Sequence, residues 1–394
     1  MENKNDVTYR LKGDRVIWII ILVLSMVSVA AVYSSCSSLA FKEHKSVMSF
    51  LFNQMNFVLL SLTTLYIAYR LPLAFWRIFS FFGIFLVIGL LIATVFVGKN
   101  LNEAQRWINI LGFKFQPSEF AKVGTVLYLS LVLETIKFDS YKKFVIWVVA
   151  PIALVILLIL NGSIATGLLM TFVVFIMLLV TGIKWSYLLK TAGIGAILLG
   201  LVLLLNIAFG LFPRVDTAVS RIKNFTNKQE PTEKLAPAEK QRILDKTYQA
   251  DMARIAISSV GIFGKGPGKS TQRNFLPHPY SDFIYAIIIE EWGFLGGLVV
   301  LMLYLWFFAR SVMIAKSCKT IFSSMAVLGL STLITTQAFL HILVNVGILP
   351  VTGHTLPLIS RGGTSLLATG AAFGIIQAVS RTIDKVKVKG EVEL

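Results

Sequence analysis

The chain reads as an all-α integral membrane protein of ten transmembrane helices with a large extracytoplasmic loop between the seventh and eighth, and three observations lead there. Of its 394 residues 56% are hydrophobic and only 14% are charged, against about 25% charged in a soluble domain; the mean hydropathy is +0.76. Apolar stretches of bilayer length, about 20 residues, recur along the sequence. The basic residues are scattered between those stretches rather than gathered on one domain, so the net charge of +17 reflects membrane topology and not a nucleic-acid partner.

The first span, 16–34, follows a basic tail, 1–15, and is too long for a cleavable signal, so it is an anchor. Spans follow at 50–69, 75–98, 118–136, 144–161, 164–183 and 189–212. After the polar loop 213–281 come 282–308, 320–345 and 362–380, and a second basic tail, 381–394. With the amino terminus inside, eighteen basic residues face the cytoplasm and six fall in the short outer loops. That asymmetry puts both termini in the cytoplasm and the large loop outside. Cys36 and Cys318 then lie on opposite sides, so no disulfide is expected, and no metal-ligand spacing is present. Nothing suggests a repeat or a separate soluble domain; residues 1–394 form one polytopic unit.

Irregular backbone is expected at 99–117, in the large loop, and at 349–363, where Pro350, Gly353, Pro357, Gly362 and Gly363 interrupt the apolar pattern. Such backbone survives at membrane depth only where protein buries it or water reaches it, so the three segments are expected to line a common cavity on the outer side. Within the large loop, 224–246 reads as a solvated connector. Next comes Gly261-Ile-Phe-Gly-Lys-Gly-Pro-Gly-Lys-Ser270. It is no Walker A motif, because Phe263 stands where that motif requires glycine and no strand precedes it. Its glycines, with Lys265, Lys269 and Arg273, suit an anionic headgroup held by backbone N–H groups and point charges. Glycine-rich segments are equally often plain turns, and the spacing leaves both readings open.

Asp282 stands where the large loop meets the eighth span. An ionisable group there is either a helix cap or a functional site, and the residues alone do not choose. Glu119 and Lys122, at i and i+3, are close enough to neutralise each other as a structural pair. Glu290 and Glu291 lie about 12–13 Å beyond Asp282 along a helix, too far to share its site, and read as structural. Gln337 and Asn345 are expected to hydrogen-bond between helices.

The segment Leu349-Pro-Val-Thr-Gly-His-Thr-Leu-Pro-Leu-Ile-Ser-Arg-Gly-Gly-Thr-Ser365 resembles the carboxyl-terminal signature of the SEDS family (shape, elongation, division and sporulation). Gly264 to Gly296, with Ser281-Asp-Phe-Ile-Tyr285 and Glu-Glu-Trp-Gly293, is similar to the same family's loop and eighth span. So are Arg106-Trp107-Ile108 and Gln116-Pro-Ser-Glu-Phe-Ala-Lys122. The likeness covers almost the whole chain in order. It implies a peptidoglycan glycosyltransferase in the bacterial cytoplasmic membrane that polymerises lipid II on the outer face with a class B penicillin-binding transpeptidase and other divisome proteins.

On that resemblance Asp282 is the catalytic base. Arg106, Lys269, Arg273 and Arg361, with Trp107 and Ser270, bind the lipid II pyrophosphate, while Glu119, Lys122, Glu290, Glu291, Gln337 and Asn345 support the site. No cofactor is evident; a divalent cation, Mg2+ or Mn2+, is compatible with the chemistry. Thr355 looks like the division type, where the elongation type usually shows proline. There are departures. Gly162-Ser-Ile-Ala-Thr166 lacks the aspartate of the family's element there, Arg361 replaces a usual tyrosine, His278 and Tyr280 replace a usual Glu and His, and Glu103 replaces a glycine. The alternatives are an elongation-type polymerase, a lipid II flippase, whose ionisable groups should form a path through the bilayer centre, and a non-catalytic scaffold, which leaves Asp282 without a task.

Overall fold

A computed structural model describes residues 12–36, 46–97, 99–101, 104–110, 113–209, 248, 251–276 and 279–392. Helices stand where hydropathy placed the spans: α1 Arg15–Ser35, α2 Val47–Arg70, α3 Leu73–Val97, α4 Pro117–Thr135, α5 Tyr141–Gly162, α6 Ile164–Val180, α7 Trp185–Phe209, α8 Ile284–Lys316, α9 Ile321–Asn345 and α10 Gly363–Val392. Among the described residues, seven helices are long and apolar enough to cross a membrane, namely α1, α2, α3, α5, α8, α9 and α10, while α6 is apolar but shorter.

Local sequence explains the helix ends. Asp14, Ser46, Ser163 and Thr320 each accept an N–H from the first turn of α1, α2, α6 and α9. Pro117 opens α4, where its missing N–H costs nothing. In α5 the turn Val145–Val149 widens into a π-helix just before Pro151, whose ring cannot accept a normal α-turn beneath it.

The purely α expectation needs one correction. Residues 99–117, expected to be irregular, form a three-stranded antiparallel sheet, β1 Lys99–Leu101, β2 Ala104–Ile110 and β3 Phe113–Phe115. Alternating residues such as Arg106-Trp107-Ile108-Asn109-Ile110 carry a strand period that is easily missed beside long apolar spans. Strand β2 packs on α3, α4 and α5, and β3 touches α10.

Two polar contacts fix how α1 and α8 lie side by side. At one end Arg310 of α8 pairs with Asp14, whose backbone also exchanges hydrogen bonds with Gln377 of α10. At the other end the Ser34 hydroxyl donates to Glu291 of α8. The helices are therefore antiparallel, and the two contacts stand nineteen residues apart on α8, about 29 Å for a regular helix. The helix starts at Ile284, two residues from the expected 282, and runs on to Lys316 rather than ending at 308.

Gly293 breaks α8 just past Glu291, with φ +74° and ψ −174°. The glycine-rich loop packs into the break. Lys265 and Gly266 donate to the carbonyls of Glu290 and Glu291 at 3.0 and 2.9 Å, and Phe294 and Leu295 donate to the carbonyls of Gly261 and Ile262 at 3.2 and 3.3 Å. Both faces of the broken helix are satisfied in this way. A Cβ on Gly293 would lie 2.1 Å from the Ile262 oxygen, and one on Gly264 2.4 Å from the Gly293 nitrogen, so the approach requires glycine on both sides.

Elsewhere α10 packs closely on α2 through Gly370-Ala-Ala-Phe-Gly374. Cβ atoms there would stand 2.5 and 2.4 Å from the Ser61 and Leu65 oxygens, the close approach that a small-xxx-small spacing permits. Between α9 and α10 the segment 349–362 dips among the helices. Mid-helix Ser28 of α1 donates to the Ile359 oxygen at 2.8 Å, and Tyr304 of α8 donates to the Pro357 oxygen. Cys36 and Cys318 are both free thiols, at opposite ends of the bundle.

Candidate active site

Asp282 lies in the turn that precedes α8, half-buried, at the Cys36 end of the bundle. The N-cap position of α8 is Phe283, which makes no side-chain cap bond. Asn345 of α9 does that work: its Oδ1 accepts from the Ala286 N–H at 3.1 Å, and its Nδ2 donates to the Asp282 carbonyl at 3.1 Å. Two further main-chain contacts hold the turn. Ser360 donates to the Ser281 oxygen at 2.7 Å, and the Arg361 N–H donates to the Tyr280 oxygen at 3.0 Å. The turn that carries Asp282 is thus clamped by 345–361, two segments that hydropathy alone kept apart.

The clamping segment is itself constrained. Leu358, between the anchored carbonyls of Pro357 and Ile359, has φ +62°, a left-handed conformation that costs a non-glycine residue about 1–2 kcal/mol. Ser360 also accepts from the Leu356 N–H at 2.8 Å. Gly353, with φ +72°, runs past the carboxylate: a Cβ there would be 3.8 Å from Asp282 Oδ2. Constrained backbone therefore lines one side of the Asp282 carboxylate.

The cations fall into three situations. Arg361 stacks between two rings, its guanidinium carbon 5.0 Å from the centre of Phe50 and 5.3 Å from that of Tyr280, close to Asp282 in the chain fold. Arg273 points at the end of α1, donating to the Ser34 oxygen at 3.0 Å and standing 3.9 Å from Glu291. Lys269 is exposed. Arg106 lies in β2, whose sheet packs on helices that do not carry Asp282; Trp107, its neighbour, is half-buried. The side chain of Arg106 falls outside those described, as do Glu103 and His278 and most of the large loop.

The loop 265–273 does wrap an anion, but the anion is the chain's own. Glu290, fully buried, accepts from the N–H groups of Thr271 and Gln272 at 3.0 and 3.3 Å, from the Thr271 hydroxyl at 2.8 Å, from the Ser270 hydroxyl, and from Lys265 at 2.6 Å. Ser270, read from sequence as a contact for substrate, is buried and turned toward this carboxylate. Lys265 is neutralised by it as well. The cradle reading is corrected accordingly: its N–H groups are engaged, because a buried carboxylate needs several donors to offset its lost hydration.

A second polar chain crosses the bundle behind the 353–357 backbone. Glu119 and Lys122, both buried, form an ion pair at 3.0 Å, and Lys122 donates to Gln337 of α9 at 2.6 Å. Gln337 donates in turn to the Thr355 oxygen at 3.0 Å, and the Thr355 and Ser365 hydroxyls are 2.7 Å apart. The interhelical role expected of Asn345 is met by its bonds to Ala286 and Asp282, whereas two features had no signal in the sequence: Ser360, and His341, whose Nδ1 meets the His354 oxygen at 2.7 Å.

A family model described as "Cell cycle protein", covering FtsW, RodA and SpoVE, matches residues 14–385. The chain belongs to the FtsW/RodA/SpoVE family. Over 372 residues it is 32% identical to the probable peptidoglycan glycosyltransferase FtsW of Bacillus subtilis, covering 91% of this chain and 88% of that protein. Over 377 residues it is 31% identical to the protein of the same name from Geobacter metallireducens, covering 93% and 94%. Stage V sporulation protein E of Bacillus subtilis is 29% identical over 382 residues, covering 95% and 98%. Among solved structures, a chain of a peptidoglycan synthase complex that coordinates polymerization and crosslinking superposes with a TM-score of 0.72 at 23% identity, covering 95% of this chain and 99% of that one. The rod shape determining protein RodA of Thermus thermophilus gives 0.66 at 23% identity, covering 94% and 97%. These two likenesses concern the fold.

Proposed function

We propose that this member of the FtsW/RodA/SpoVE family is a peptidoglycan glycosyltransferase that polymerises lipid II, with Asp282 as its base. Family membership and relatives named for that activity support the reaction class. The observation that carries the residue assignment is the clamp at the start of α8: Asn345 caps the helix, and Asn345, Ser360 and Arg361 hold the turn that presents Asp282.

In the reaction, the 4-hydroxyl of one lipid II attacks the anomeric carbon of a growing glycan held on polyprenyl pyrophosphate. Asp282 takes the hydroxyl proton as the new C–O bond forms, the bond to the pyrophosphate breaks with its electron pair, and the linkage inverts from α to β. Arg361, Lys269 and Arg106 stabilise the leaving pyrophosphate, Arg361 from a stacked guanidinium that keeps its plane fixed. Arg273 acts indirectly, by tying the loop to α1. A divalent cation bound to the pyrophosphate is compatible with this scheme.

The arrangement in the membrane is ten spans with both termini in the cytoplasm and the Asp282 turn outside, on the strength of the basic-residue asymmetry. The partners are lipid II, a class B penicillin-binding transpeptidase and other division proteins. The division role rests on Thr355, whose hydroxyl reaches Ser365; proline at that position has no hydroxyl to offer. Purified protein given labelled lipid II, with and without a cognate transpeptidase, should produce glycan chains separable by gel. Lipid II left unpolymerised in both, by protein shown to be folded, refutes the polymerase reading; transbilayer movement of lipid II without polymerisation would favour the flippase.

A further inference from the structure

We infer that the tip of the glycine-rich loop, Ile262 and Phe263, sits in the acyl-chain region of the bilayer, making 261–266 a re-entrant lipid-contacting element of the large loop. Depth comes first. Glu291 and Arg310 bound the crossing part of α8 because each meets a polar partner at an end of the 21-residue helix α1. Phe294 and Leu295 lie three and four residues inside that boundary, about 5 Å into the hydrocarbon at 1.5 Å per residue. The loop is hydrogen-bonded at that level, through the Gly261 and Ile262 carbonyls.

Polarity agrees with depth. Ile262 and Phe263 are 59% and 80% exposed, and the surface continues along α8 through Phe294, Val299, Met302 and Trp306, each more than half exposed. A protein that faced water would rarely leave so long an apolar strip bare, whereas acyl chains cover it without cost. Non-helical backbone at this depth must have its polar groups bonded, and the four bonds across the Gly293 break do this for both strands of the contact. Exposed Lys269, six residues on from Phe263, is then placed to reach phosphate headgroups from the loop's polar end.

The test uses the full-length chain with Cys36→Ser and Cys318→Ser, a nitroxide attached at Phe263→Cys, and nanodiscs of phosphatidylethanolamine and phosphatidylglycerol. Power-saturation spectroscopy compares collisions with oxygen, which concentrates in acyl chains, and with a water-soluble nickel chelate. Nitroxides at Met302→Cys, on the α8 strip, and at Asp139→Cys, a charged and exposed position, give the lipid and water references. Oxygen collisions outnumbering nickel collisions at 263, as at 302, is the expected result. A value like that at 139 would place the tip in water and overturn the inference. Protection from both reagents would mean that protein, a partner or a second copy, covers the tip, and would overturn it equally.

Discussion

At the scale of single residues, aspartate at the start of an apolar helix is ambiguous because the same carboxylate chemistry serves capping and proton transfer. Asparagine separates the two roles, since it caps as well as aspartate but cannot take a proton. With the Ala286 N–H already held by Asn345, Asp282→Asn keeps the cap of α8 and should still yield a folded, inserted protein by thermal melting. Its glycan polymerisation should fall by at least about a hundredfold, the size of a general-base contribution. A folded Asn variant that polymerises at the wild-type rate would return Asp282 to a structural role. Glu290 makes the converse point: read from the sequence as structural, it is held by five donors of the loop that had looked suited to a substrate anion.

At the scale of elements, α8 is two helices joined at Gly293, and the joint holds the loop that runs up to the Asp282 turn. Alanine improves helix propensity by about 1 kcal/mol, so on propensity alone Gly293→Ala should stabilise the protein. Sterics oppose it and win. The left-handed φ costs about 1–2 kcal/mol, and a Cβ 2.1 Å from the Ile262 oxygen forces the loop away, leaving the Glu290 and Glu291 carbonyls unpaired. The expected result is a loss of at least about 2 kcal/mol in denaturant titration in detergent. Faster proteolysis within 261–273 should accompany it. An unchanged or raised midpoint would show that the break is incidental.

At the scale of the whole molecule, the fold is a bundle whose α1 is pinned to α8 at both ends, by Asp14 with Arg310 at one and Ser34 with Glu291 at the other. The basic-residue asymmetry puts the first pin in the cytoplasm. A cysteine at Asn227, in the part of the large loop outside the described residues, should therefore react in intact cells with an impermeant thiol reagent, and one at Ser140 should not. The reverse labelling would invert the bundle and move the Asp282 turn to the cytoplasm, away from any extracytoplasmic chemistry.

The sequence by itself determined the class of the protein, the positions of its helices to within about four residues except the carboxyl ends of α8 and α10, and the motif that carries Asp282. Hydropathy and charge asymmetry are local sums, and a stretch of 20 apolar residues means the same thing in any context. It also marked Asn345 and Gln337 as interhelical without saying what they touch. Only the tertiary structure decided that Asn345 caps α8, that Glu290 fills the loop's donors, that Arg273 ties to α1, and that Ser34 of α1 meets Glu291 of α8. Each of these pairs groups far apart in the chain, 59 residues for Ala286 with Asn345 and 257 for Ser34 with Glu291. No periodicity records such a pairing. A buried polar group needs a partner, but its own sequence neighbourhood does not say which one, and that choice is made when the helices pack.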